Sequence, residues 1–175
     1  MFVRFLPYSH GDYIVELNTP DGGGGYLEVG PALAATYTNA LRAFFSVSST
    51  GTRGVGQLAF IDFDLMEFSS ELEGMEGPGE GPGRTTLSLR LTQLVRIFSP
   101  DGSLLEDIPL EVTARSVVEY YDTRDFIAGA KDLAADLFLK LERELLDYIV
   151  ENNREGKYRF RGRPEPVHLP EVMRP

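Results

Sequence analysis

Cysteine and tryptophan are absent from the 175 residues, and histidine occurs only as His10 and His168. Without thiols the chain has no disulfide scaffold, cysteine-based zinc site, iron–sulfur cluster or thiol nucleophile, and two imidazoles leave little for a histidine metal site. No segment approaches the roughly 18 consecutive apolar residues of a membrane span, and Met1 to His10 has no apolar run of signal-peptide length. Positive charge is scarce as well: 17 Lys and Arg stand against 27 Asp and Glu, for a net charge of −10. A surface of that sign repels phosphate backbones, so nucleic acid is not an expected partner.

What remains is ordinary globular material, 42% hydrophobic and 25% charged, at a length that makes one domain. A chain of this size buries roughly two thirds of its unfolded surface and needs no covalent staple. Phe2–Leu6 and Tyr13–Leu17 are short aromatic and β-branched runs and predict two strands or one interrupted strand. Thr19-Pro20-Asp21 and the glycines Gly22 to Gly25 predict a flexible turn-rich loop. Gly30-Pro31 then marks a helix start, with proline suited to the first turn. Leu33, Tyr37, Leu41, Phe44 and Phe45 make an apolar stripe on a helix from about Pro31 to Phe45.

Alternation returns at Leu58 to Phe68 and predicts a strand. Glu71 to Gly83, dense in glycine, proline and glutamate, is expected to be a flexible loop. Leu87, Leu89, Leu91, Val95 and Ile97 share one parity and make the clearest strand of the chain, with Gln93 the only interruption of its apolar face. Ser99-Pro100-Asp101-Gly102 is a hairpin turn signal. The strand returning from Leu104 to about Ser116 or Val118 carries Leu104, Ile108, Leu110, Val112 and Ala114 on one parity, its expected apolar face, and its Pro109 points to an edge or a bulge. Asp122 and Thr123 can cap a last helix, to about Glu151, whose stripe is Phe126, Ile127, Ala130, Leu133, Leu137, Leu141, Leu145, Tyr148 and Ile149. These elements define an α+β fold of two layers: a mostly antiparallel sheet covered on one face by two helices. Residues 1–153 form the expected single domain. Arg154 to Pro175 form an extended basic tail with a charge of +3, against −13 for the rest, and four prolines in its last twelve residues.

Candidate chemistry is thin. The glycines at Gly22 to Gly25 precede a helix as in a phosphate cradle, but no Gly-Lys-Ser/Thr follows, and Asp21 and Glu28 would repel phosphate. Asp62 and Asp64 lie on one strand face as a cation pair would, an arrangement that the wet face of a one-sided sheet produces unaided. Ser9-His10 are neighbours in sequence with no nucleophile elbow around them, and His168 sits among prolines. Tyr120-Tyr121 could line a cleft or pack at the corner between strand and helix. No enzyme is expected, nor a cofactor or a metal.

Gly-Pro-Ala-Leu-Ala-Ala at Gly30 to Ala35, the strand ending in Ile97-Phe98, Pro100-Asp101-Gly102 before Ser103-Leu104-Leu105, and Phe126 and Ala130 opening the last helix have a common counterpart. This order, from about Gly30 to Ile149, resembles small bacterial envelope lipoproteins: the ABC-type transport auxiliary lipoproteins, the LPS-assembly lipoprotein and, more distantly, the amino-terminal domain of TolB. The resemblance implies a non-enzymatic accessory subunit of an envelope lipid or lipoprotein transport assembly, with a protein partner and lipid as a further ligand. It also implies a leader and a lipid-bearing cysteine ahead of Met1, hence a periplasmic, outer-membrane-associated location. A cytoplasmic or virion structural subunit is the alternative. In either case the expected contact surfaces are the apolar groove between sheet and helix and the tail, through Arg154, Lys157, Arg159, Arg161 and Arg163, whose guanidinium groups make forked contacts to carboxylates.

Overall fold

The computed structural model describes residues 2–5, 13–43, 46–48, 57–79, 81–98 and 101–154. In chain order these form β1 (Phe2–Phe5), β2 (Ile14–Asn18), β3 (Gly24–Glu28), α1 (Gly30–Arg42), β4 (Ser46–Ser48), β5 (Gln57–Glu76), β6 (Gly83–Phe98), β7 (Leu104–Tyr120) and α2 (Thr123–Arg154). The class is α+β, as the patterning requires. Five strands form one sheet in the order β4-β1-β5-β6-β7, and β2 and β3 form a separate two-stranded ribbon. The β5–β6 and β6–β7 pairs are antiparallel, whereas β1 lies parallel to both β4 and β5.

On β6, Leu87, Leu89, Leu91, Gln93, Val95 and Ile97 are all buried, and so are Ile108, Val112, Ala114, Val118 and Tyr120 on β7. The direct pairing of Leu89 with Ala114 and of Leu91 with Val112 puts both sets on one face. Helix α2 covers that face with Phe126, Ala130, Leu133, Leu137, Leu141 and Leu145, and α1 adds Leu33, Tyr37 and Leu41. The opposite face is polar and carries arginine–carboxylate pairs. Arg84 meets Glu119 at 2.6 Å, Arg90 meets Glu111 at 2.8 Å, and Arg96 meets Asp62 at 3.6 Å. Arg115 on β7 reaches over β6, where only Ser88 and Thr86 intervene, to Glu73 on β5 at 2.5 Å. Pairs this exposed add little to stability, and their main effect is on register.

Four expectations need correction. Glu71 to Glu76 belong to β5: Glu71, Leu72 and Glu73 pair with Ser88, Leu87 and Thr86, so the glutamates face water while Leu72 packs against the core. A strand with one wet face needs only every second residue to be apolar, and the glycine-rich average over 71–83 hides that alternation. Gly74, at φ 62°, lies at the register shift between Glu73 and Glu76, a position where glycine accepts positive φ without steric cost. The glycines at 22–25 are likewise not all loop, since Gly24 and Gly25 open β3. Leu104 is exposed, beyond the register shift at Ile97/Phe98. Finally, α2 runs on to Arg154, which is therefore a helical residue and not the first of a tail.

Where β5 turns into β6, Tyr120 donates its hydroxyl to the Glu76 carbonyl at 3.1 Å and meets Phe126 edge to face, with ring centroids 6.1 Å apart. A Cβ on Gly83 would lie 2.7 Å from that carbonyl oxygen and 2.8 Å from the Tyr120 ring, so this corner closes only on glycine. Helix α2 starts beside it. Asp122 accepts the Asp125 N–H at 2.9 Å as the N-cap, and the Asp125 carboxylate accepts the Tyr121 N–H at 3.2 Å.

Gln93, the polar residue on the apolar face, is fully buried and accepts a hydrogen bond from the Tyr37 hydroxyl on α1. Its Nε2 is buried and has no hydrogen-bond partner among the described residues. Burial raises the pKa of the Tyr37 phenol, which stays a neutral donor. Two stability outcomes are expected from chemical denaturation. Leu137→Ala and Leu141→Ala, at fully buried positions, each cost about 2–5 kcal/mol. Tyr37→Phe leaves the Gln93 carbonyl unpaired and costs about 1–3 kcal/mol, while Tyr37→Phe with Gln93→Leu recovers most of that loss.

Candidate functional site

The β2–β3 ribbon shows two unlike faces. Val15, Leu17 and Leu27 point inward and are buried; Ile14, Glu16, Tyr26 and Glu28 point outward. The register places Ile14 opposite Glu28 and Glu16 opposite Tyr26, so apolar and acidic side chains alternate in a small checkerboard. Ile14 is 55% exposed and Tyr26 64%, large apolar surfaces left to solvent. Beside them runs an open cleft of about 990 Å³. Leu27 and Val29 line it from the ribbon side, Ala32 from α1, and Lys131, Ala134, Ala135 and Phe138 from α2. Two carboxylates and one ammonium thus frame a largely apolar surface.

Two contacts place the ribbon against α2. Gly25 is backed by Ile127, and a Cβ there would run into that side chain. Asp21, in the turn joining β2 to β3, accepts a hydrogen bond from the Thr123 hydroxyl in the first turn of α2. Its other oxygen accepts from the Thr19 hydroxyl at 2.5 Å and the Gly23 N–H at 3.2 Å. The hydrogen bond from Thr123, then those from Thr19 and Gly23, lower the Asp21 pKa from 3.8 to about 2. Gly22 takes φ 78° in this turn. Asp21 and its glycines therefore form a structural clip, where the sequence led us to expect a plain flexible loop.

The other candidate residues are dispersed. Asp62 faces Arg96 across the sheet, and the side chain of Asp64 lies outside the described residues. Tyr120 is core, whereas Tyr121 is 66% exposed. His10, His168, Lys157, Arg159, Arg161 and Arg163 fall outside the described residues, as does the side chain of Arg154. The expected groove lay between sheet and helix, whereas this cleft lies between the ribbon and the two helices and takes no residue of the five-stranded sheet. Ile14/Glu16 against Val15/Leu17, and Tyr26/Glu28 against Leu27, carry the alternation that would have found the ribbon. Among the described residues no helix is long and apolar enough to cross a membrane.

No family profile and no curated protein matches the chain. Among solved structures, a minor lipoprotein from Acinetobacter baumannii is 14% identical, with a TM-score of 0.48, over 87% of this chain and 94% of that one. A protein of the DUF330 family from Xanthomonas campestris is 11% identical, with a TM-score of 0.47, over 89% of this chain and 87% of that one.

Because the Asp21 pKa is depressed, its contribution to stability is present above pH 4 and is lost as pH falls through about 2. Asp21→Asn is expected to lower the melting temperature at pH 7 slightly and to flatten its decline between pH 4 and pH 2. Thermal melts across that range check both. An unchanged acid decline would mean that other carboxylates set it.

Proposed function

We propose that the protein is a non-catalytic binding subunit of a bacterial envelope assembly that handles lipid or lipoprotein, and that the cleft between ribbon and α2 receives an apolar part of its partner or cargo. The observation that carries this reading is the exposure of Ile14 and Tyr26 beside a floor of Leu27, Ala134 and Phe138. Large apolar side chains standing in water beside a ready concavity are characteristic of binding surfaces. The envelope setting comes from the resemblance of Gly30 to Ala35 and of the Pro100-Asp101-Gly102 turn to auxiliary lipoproteins. In this reading the basic segment around Lys157, Arg159, Arg161 and Arg163 tethers the subunit to an acidic surface of its partner by charge-assisted contacts.

Ala135→Glu tests the cleft, because it places a carboxylate in the cleft wall at an exposed helical position that tolerates one. Binding of the neutral apolar fluorophore N-phenyl-1-naphthylamine is expected in the wild type. It should fall about tenfold or more in Ala135→Glu, with the melting temperature unchanged; equal binding by both proteins would refute the cleft as the site. Deleting residues 155–175 should leave folding intact, weaken co-purification with the native assembly and remove most of its dependence on salt.

A further inference from the structure

Strand β7 ends the five-stranded sheet, and among the described residues no strand pairs with its outer edge. The Lys140 ammonium on α2 donates to the Thr113 carbonyl at 2.9 Å, which places that carbonyl on the free side of β7. In an extended strand the peptide groups of alternate residues share a side, so those of Glu111, Arg115 and Val117 point the same way. Pro109 has the same parity. A residue without an N–H is tolerated where no ladder bond is formed, which supports the assignment independently. The outer edge thus presents a row of backbone donors and acceptors, with one carbonyl held by a lysine. An inward-reaching charge of this kind is a known way of blunting an edge.

The side chains along this edge are self-complementary. If two copies are set antiparallel about Thr113, threonine opposes threonine, and Glu111 of each copy opposes Arg115 of the other. Both are favourable cross-strand pairs. Axes at Glu111 or Arg115 would oppose like charges instead. Above the edge, on α2, Asp136 lies within one or two turns of Lys140 and Arg143 beside a shallow dent, with Leu139 55% exposed. Reversing the helix direction across the same axis brings the acidic end of this stretch toward the basic end of the other.

We propose that β7 is a homodimerisation edge, in which two copies of this chain pair antiparallel about Thr113 and join their sheets, and that Lys140 guards it by occupying the Thr113 carbonyl. The surface is separate from the cleft, so the proposal does not rest on the functional reading above. Sedimentation equilibrium of the full chain up to millimolar concentration tests it. Lys140→Met frees the carbonyl and is expected to tighten dimerisation. Thr113→Pro removes an outward N–H but no bond to β6, and is expected to abolish dimerisation while circular dichroism and the melting temperature report an intact fold. Glu111→Arg and Arg115→Glu each turn both intermolecular pairs repulsive, besides breaking the exposed pair with Arg90 or with Glu73 inside the chain, and should weaken the dimer about tenfold; the double variant remakes the intermolecular pairs and should recover dimerisation over either single one, with melting temperatures reporting the loss within the chain. The proposal is overturned if wild type and Lys140→Met are both monomeric throughout. It is equally overturned if association survives Thr113→Pro, or if the double charge reversal associates no better than the single ones.

Discussion

The apolar stripe of α2 is too wide for one partner, and most of the architecture answers to that constraint. Phe126, Ala130, Leu133, Leu137, Leu141 and Leu145 recur every three or four residues and would suit a helix lying on a sheet. Ala134 and Phe138 are also buried, however, and they widen the stripe by a further turn of the helix face. β6 and β7 cover one side of it. The other side needs a second cover, which the β2–β3 ribbon and α1 supply through Val15, Leu17, Leu27, Val29 and Leu33. The ribbon is a marginal element alone, since two strands in water seldom hold together. Its attachments at Gly25 and Asp21 therefore matter in proportion. The cleft is the stretch of the second side where ribbon and α1 do not close over α2.

The Tyr37–Gln93 hydrogen bond has a different weight. Burying an amide without full pairing costs free energy that a leucine at position 93 would avoid. Its effect is to favour one placement of α1 on the sheet over others that would bury similar apolar area. Leu33, Tyr37 and Leu41 on α1 are all fully buried, and in the placement that buries them Tyr37 donates to Gln93.

How legible each element was in the sequence follows from how its burial is distributed. β6 alternates over sixteen residues, and α2 repeats over many turns, so period alone reveals both. Gln93 was visible as the one polar residue in the apolar parity between Leu87 and Ile97. The ribbon was half visible: Tyr13 to Leu17 alternates, but β3 opens with Gly24 and Gly25, whose lack of side chains removes the signal and at the same time permits the close approach of Ile127. Glu71 to Glu76 misled for the opposite reason, because abundant charge and glycine are compatible with a strand whose outer face is wet, as where Glu73 pairs with Arg115 on β7. Ala134, Ala135 and Phe138 lie just outside the most regular stripe of α2. A cleft between elements far apart in sequence is a matter of tertiary placement, which short-range periodicity does not encode.

The two surfaces that remain open lie on different flanks of α2, and helix geometry keeps them apart. Lys131, Ala135 and Phe138 share one flank and face the ribbon. Asp136, Lys140 and Arg143 share another and overhang β7. At 100° per residue, Ala135 and Asp136 point in clearly different directions although they adjoin in sequence. A second chain added at β7 would extend the sheet away from the ribbon and would leave the cleft of each copy uncovered. Occupation of one surface thus does not exclude the other sterically. A ligand in the cleft can act on the β7 edge only by moving α2, and α2 is held at its first turn by Asp122 and Asp21 and along its length by the leucines of the core. Rigid attachment of that kind favours two independent sites over a coupled pair.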